Sequence, residues 1–160
     1  GVEASTGSLG HGLSIAVGMA CALAHTKSKA YVLIGDGECN EGSVWEAALF
    51  AGHHKLDNLI AIIDYNKIQS FGKTSEVLDL EPLKKKWESF GWQAKEINGH
   101  DFLEIEKVFE SLPFKKDCPN VIIAHTIKGK GVSYMENKLE WHYKSLNKEQ
   151  YDIAMKEIGK

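Results

Sequence analysis

Cysteine is scarce in this 160-residue chain, and Cys21, Cys39 and Cys118 are odd in number and far apart. Neither a disulfide framework nor a paired zinc-ligand spacing can be built from them, which favours a reducing, cytoplasmic setting. Long hydrophobic runs are missing as well. Residues 13–24 fall short of the roughly 20 residues that span a membrane, and they carry Gly, Ser and Cys with a His near each flank. They read as a buried helix. No charge sign dominates: a net charge of −3 gives no bias toward nucleic acid or an anionic membrane, and neither is expected as a partner. Proline occurs three times, so no Pro/Ser-rich linker divides the chain, and no repeat or low-complexity tract is visible. A single domain over residues 1–160 is expected, long enough to bury roughly 70% of its unfolded surface. Residues 1–9 are dense in Gly, Ser and Thr with no initiator Met, and a missing upstream portion is expected.

What is present begins with two apolar segments. Tyr31-Val32-Leu33-Ile34-Gly35-Asp36-Gly37-Glu38 is answered thirty positions later by Ile62-Ile63-Asp64-Tyr65-Asn66. Residues 30–35 and 59–65 are apolar without alternation, as buried parallel strands are. Between them, residues 43–54 carry Val44, Ala47, Ala48 and Ala51 at helical spacing, which completes a right-handed βαβ unit. A helix over 9–24 precedes it, and a turn over 36–42 follows the first strand. Further along, the pattern gives a helix over 80–90 with Pro82 in its first turn and Leu83, Trp87 and Phe90 on one face. It also gives strands over 92–97 and 121–126, and a helix capped by Asp101 with a buried stripe of Phe102, Ile105, Val108, Phe109 and Leu112. Asn147 should cap a last helix through Ile153, Ala154 and Ile158.

Alternating strands and helices imply an α/β fold, a parallel sheet covered by helices on both faces, with ligands outside the carboxyl ends of the strands. Asp36, Asn66 and the loop after Thr126 would meet there. Magnesium takes oxygen ligands at about 2.0–2.1 Å and commonly only one or two side chains, with substrate phosphates supplying the rest. Asp36 offers charge and Asn66 a neutral carbonyl. Because one carboxylate cannot neutralise a dication, the remaining negative charge should arrive on a phosphorylated ligand. Gly35 and Gly37 leave room for its close approach, and the helix after Gly42 adds a partial positive end.

The segments Gly35-Asp36-Gly37-Glu38-Cys39-Asn40-Glu41-Gly42 and Asp64-Tyr65-Asn66-Lys67-Ile68 resemble the thiamine diphosphate motif. Combined with Ser5-Thr6-Gly7-Ser8-Leu9-Gly10-His11-Gly12-Leu13 and Thr126-Ile127-Lys128-Gly129-Lys130-Gly131, they are similar to the diphosphate-binding domain of transketolases. The likeness is closest to the amino-terminal subunit of the split bacterial type, and it covers nearly the whole chain. The resemblance implies thiamine diphosphate and Mg2+ (or Ca2+) as cofactors. Asp36 and Asn66 would bind the metal by side chain, and Ile68 by its backbone oxygen. Gly35 and Gly37 would line the diphosphate, Gly7 and Leu9 would lie beside the cofactor with Leu9 on its rings, and Glu41 would sit at a dimer interface linking two active sites. His142 would stand near the diphosphate and the reacting carbon. The implied activity moves a two-carbon ketol unit from a ketose phosphate to an aldose phosphate, as in pentose phosphate metabolism. The implied partner is a pyrimidine-domain subunit or a missing carboxyl-terminal half, in a homodimer or heterotetramer.

Two positions depart from full-length transketolases, where Pro and Gln commonly stand in place of Ser8 and His11. Other residues are set aside. Adjacent His53 and His54 would point about 100° apart on a helix and cannot share a metal. Asn98-Gly99-His100-Asp101 reads as a turn and N-cap, His125 as a core position, and Lys84-Lys85-Lys86 as a solvated helix face. A nicotinamide-binding fold fails because Gly7-Ser8-Leu9-Gly10-His11-Gly12 is not G-x-G-x-x-G and follows no strand. A P-loop lacks its Lys-Ser/Thr ending. A 2-oxo acid dehydrogenase component, a deoxyxylulose-phosphate synthase, or a cofactor-binding assembly module inert until paired remain as alternatives.

Overall fold

The structure, a computed structural model, describes residues 1–159. Four parallel strands form its central sheet: β1 (Ala30–Gly35), β2 (Leu59–Tyr65), β5 (Gln93–Asn98) and β6 (Asn120–His125), in the order β1-β2-β6-β5. Two short strands, β3 (Ile68–Gln69) and β4 (Gly72–Lys73), make a hairpin just beyond β2. The register aligns Gly35 with Asp64, Asp64 with Ala124, and Ile97 with Ala124. All four carboxyl ends therefore finish at one edge.

Side-chain parity explains the layers. Leu59, Ala61, Ile63 and Tyr65 alternate toward one face of β2, where they join Val121 and Ile123 of β6. Helices α1 (His11–Ala22), α2 (Gly42–His53) and α4 (Leu83–Ser89) cover that face through Leu13, Val44, Ala48 and Trp87, all essentially buried. Small residues let α1 and α2 lie close, but α1 is not the buried helix its composition suggests: Leu13, Ala16, Val17 and Ala20 are buried, while Ile15, Gly18 and Cys21 on its other face are exposed. Trp92 anchors the far end, its indole Nε1 donating to the Ala48 carbonyl at 2.9 Å. On the opposite face Ile60 and Ile122 meet Val108 of α5 (Phe102–Glu110). A short helix, α3 (Thr74–Val77), follows the hairpin, and α6 (Lys148–Ile158) closes the described chain behind a complete Asn147–Gln150 capping box. No helix among the described residues is long and apolar enough to cross a membrane.

Several expectations need correction. The first helix starts only at His11, because Gly10 adopts φ 85°, a left-handed turn that ends the preceding loop. Strand β1 lies at the sheet edge and alternates, leaving Tyr31 and Leu33 exposed where full burial was expected. Only the face toward α1 and α2 is covered. The α5 stripe is likewise thinner than its pattern: Val108 is buried against Ile60 and Ile122, but Phe102 and Phe109 are exposed, Phe109 meeting the half-exposed Tyr31 ring of the edge strand, 6.1 Å between ring centroids. In α6, Ala154 is buried while Ile153 and Ile158 face outward. The helix expected over 80–90 begins at Leu83, with Pro82 as its N-cap.

Candidate functional site

At the end of β1 the chain tightens into a single 3-10 turn, Gly37–Asn40, capped by the Asp36 side chain. One carboxylate oxygen of Asp36 accepts from the Gly37 N–H at 2.7 Å and the other from the Lys67 N–H at 2.5 Å. The second bond spans two strands. It presses the carboxylate against the Asn66–Lys67 peptide, so the tips of β1 and β2 are joined at this atom. Lys67 sits at φ 67°, a bend uncommon for a non-glycine residue, which turns the chain sharply from β2 into the β3–β4 hairpin. Asn66 Oδ1 accepts from the Ile68 N–H at 3.0 Å, which folds the amide back over the first hairpin residue. Asp36, Asn66 and Ile68 are thus gathered within one loop pair.

The electrostatics of Asp36 are unusual. It is 2% exposed, and burial pushes its pKa up to about 6 against the pull of the two N–H donors; Asp64 raises it further and Lys128 lowers it. A carboxylate so desolvated, with no ion pair among the described residues, is where an added cation would be most stabilising. Among the described residues no cluster of three or more His, Cys, Asp or Glu could hold a metal. A site here would draw on one carboxylate, one amide and backbone oxygen, a hard-oxygen set that suits magnesium or calcium. The residues present fit that chemistry.

The two flanking glycines serve different ends. Nothing lies within 4 Å of where a Cβ would stand on Gly35, so a ligand can approach its Cα from that side, although its N–H is given to Glu38 and its carbonyl accepts from the Cys39 thiol. Gly37 is instead required from inside: a Cβ there would lie 2.7 Å from Cβ of Gln69, and its N–H is already given to Asp36. The β3–β4 hairpin packs on that spot, and Gln69 Nε2 donates to Asn40 Oδ1 at 2.9 Å to hold it.

Residues 7–10 form the near wall. Gly10 donates its N–H to Glu38 Oε1 at 2.9 Å, and its carbonyl accepts from Ser43 Oγ at 3.1 Å. Gly7 has open space around it, and Leu9 is half-exposed. Glu41 is the N-cap residue of α2, yet its side chain makes no cap bond and remains exposed beside Gly10.

The far wall is the loop after β6. Thr126 donates its N–H to the Tyr65 carbonyl at 3.2 Å and its hydroxyl to Asp64. His100 Nε2 accepts from the Ile127 N–H at 2.8 Å, pinning the next residue. Lys128 follows, and its charge acts on both Asp36 and His142. His142 lies in a 3-10 turn, Leu139–His142, with Nε2 3.5 Å from Ser70 Oγ on the hairpin; partial desolvation first, then Lys128, lowers its pKa. A cleft of about 320 Å³ opens between the end of β2, the hairpin and the loop after β6, lined by Asn66, Lys67, Ile68, Lys73, Thr126 and Asn137; residues 7–10 and Asp36 do not line it. Of the residues expected from sequence, these bonds bring Asp36, Gly37, Asn66 and Ile68 together; Glu41 adjoins Gly10, the neighbour of Leu9, and His142 reaches the hairpin at Ser70, while no contact among the described residues ties Gly7 to them. Sequence reasoning passed over Lys128 as a contributor in its own right, although the Gly129-Lys130-Gly131 run beside it marked the loop. It also read His100 only as a turn residue, because a bond to a position 27 residues away leaves no local signal.

Over residues 1–160 the chain matches the family model described as transketolase, thiamine diphosphate binding domain. It belongs to the transketolase family. This transketolase domain is 48% identical, over 99% of its length, to an apulose-4-phosphate transketolase subunit of Phocaeicola vulgatus, of which it covers 57%. It is 47% identical, over its whole length, to a 6-deoxy-6-sulfo-D-fructose transketolase subunit of a Clostridium species, covering 59% of that protein. The solved transketolase of Campylobacter jejuni superposes with a TM-score of 0.90 at 38% identity, across 99% of this chain and 26% of that one. The chain therefore spans less than three fifths of the length of these subunit relatives.

Proposed function

We propose that this chain is the thiamine diphosphate- and magnesium-holding part of a split transketolase, which passes a two-carbon ketol unit from a ketose phosphate to an aldose phosphate. One observation carries the reading: the buried Asp36 carboxylate at the tip of β1 accepts from the N–H of Lys67, the residue that follows Asn66 at the tip of β2. Asp36, Asn66 and the Ile68 backbone oxygen hold the Mg2+ (or Ca2+) there. The cation and Lys128 offset the diphosphate charge, with the unobstructed Cα sides of Gly35 and Gly7 beside it. Leu9 offers an apolar contact to the cofactor rings. His142, its proton affinity lowered by desolvation and Lys128, is neutral at pH 7 and can accept or donate a hydrogen bond near the phosphate end. Bound thiamine diphosphate supplies the electron sink for cleaving and forming the carbon–carbon bond.

Glu41 and the exposed faces of α1 and α2 serve the contact with a second subunit. The partner carries the pyrimidine-binding domain, as a separate chain or as the rest of a longer polypeptide, in a homodimer or heterotetramer. Relatives named as subunits support this reading. By itself the chain is an assembly module without ketol transfer. Two assays test the reading. Calorimetry should show magnesium-dependent thiamine diphosphate binding that Asp36→Ala abolishes, and unchanged affinity in that variant would overturn the site. Activity should appear only when a pyrimidine-domain subunit is added, so turnover by the purified chain alone would contradict the half-site.

A further inference from the structure

Glu38 belongs to none of the ligand roles above, yet its carboxylate joins the 7–10 loop to the end of β1. Oε1 accepts from Gly10 N–H at 2.9 Å, 28 residues away, and Oε2 accepts from Gly35 N–H at 3.4 Å. Glu38 is held in turn by the 3-10 turn that Asp36 caps. We infer that Glu38 is a positioning residue that docks the 7–10 loop onto the tip of β1 and so sets Leu9 at a fixed height above the cation site.

The geometry leaves Leu9 little else to do. Half of its surface is exposed, at a loop whose next residue is clamped twice, by Glu38 on the N–H and by Ser43 on the carbonyl. An apolar side chain beside a charged cradle cannot favour the diphosphate itself, but it can cover the face of a heteroaromatic ring attached to it. Glu38 therefore controls recognition of the ring portion of the ligand and leaves the metal and diphosphate portion to Asp36 and Asn66. The loop also holds its own turn, His11 N–H to the Ser8 carbonyl at 3.2 Å, and Ser43 bonds the Gly10 carbonyl to α2, but it is Glu38 that ties the Gly10 N–H to the turn after β1.

This inference rests on the cofactor reading, and calorimetry on the full chain separates the two. Two probes are used with Mg2+: thiamine diphosphate, and inorganic pyrophosphate as the ringless end. The wild type should bind thiamine diphosphate more tightly than pyrophosphate. Glu38→Ala should lose about tenfold in thiamine diphosphate affinity, equivalent to about 1.4 kcal/mol, while its pyrophosphate affinity stays within about twofold. Glu38→Gln keeps an oxygen for the Gly10 N–H and should restore most of the lost affinity, which a mere change in local charge would not allow. Equal losses for both probes would make Glu38 a fold-holding residue only and overturn the inference. Unchanged thiamine diphosphate binding in Glu38→Ala would overturn it too, with the cofactor reading intact. A wild type that binds neither probe would remove the cofactor reading and the inference together.

Discussion

Replacing Asp36 with Asn isolates what a ligand-free chain spends to hold a charge at the tip of β1. The carboxylate is 2% exposed and its pKa is raised from 3.8 to about 6. About two pKa units at roughly 1.4 kcal/mol each make the ionised form about 3 kcal/mol less favourable in the folded chain than in the unfolded one. The folded state holds this proton more tightly, so the penalty is absent below the unfolded value near pH 4, builds as pH rises, and is complete above about pH 6. Asn carries no charge at any pH. It also keeps only one acceptor oxygen where Asp36 uses two, for the Gly37 and Lys67 N–H groups. The orphaned donor costs about 1–2 kcal/mol at every pH. In urea titrations with chelator, Asp36→Asn should therefore be less stable than the wild type at pH 4 and more stable at pH 7, the difference shifting by roughly 2 kcal/mol because part of the penalty is already present at pH 4. Adding Mg2+ and thiamine diphosphate at pH 7 should stabilise the wild type and leave the variant unmoved. A stability difference that stays constant between pH 4 and pH 7 would refute the buried-charge account.

Single contacts at the two walls of the site can be tested in the same way. Gly10→Ala would place a Cβ 2.2 Å from Ser43 Oγ at a backbone φ of 85°, and should cost about 1–3 kcal/mol of stability in urea unfolding while loosening cofactor binding. Lys128→Met should weaken Mg2+–pyrophosphate affinity in calorimetry by about tenfold at low salt, with the gap narrowing as salt is raised; a variant that binds like the wild type would remove Lys128 from the site.

The strands were the most legible part of the fold, and for a physical reason. Residues 30–35 and 59–65 coincide with β1 and β2 because continuous apolar runs bounded by Gly, Asp and Asn have few other uses. Burial was less legible than position. Tyr31 and Leu33 have the composition of a central strand, but the edge position of β1 depends on the order β1-β2-β6-β5, which no local pattern encodes. The hairpin Ile68–Lys73 and the 3-10 turn Leu139–His142 went unread, since two-residue strands and single turns carry no periodicity. At the site, Asp36 and Asn66 were readable because strand ends in a parallel sheet share an edge. The bonds that fix them were not: Lys67 N–H to Asp36, Gly10 N–H to Glu38 and Ile127 N–H to His100 each join a backbone donor to a side chain at least 27 residues away. Backbone donors look alike in any sequence.

The central claim is that two strand tips share one dication. A crystal structure of the chain grown with thiamine diphosphate and Mn2+ in place of Mg2+, with the ion located by its anomalous signal, tests it most directly. The account predicts a single peak about 2.0–2.3 Å from an Asp36 carboxylate oxygen, Asn66 Oδ1 and the Ile68 carbonyl, bridged to the diphosphate. A bound diphosphate whose ion lies away from Asp36 and Asn66 would contradict it.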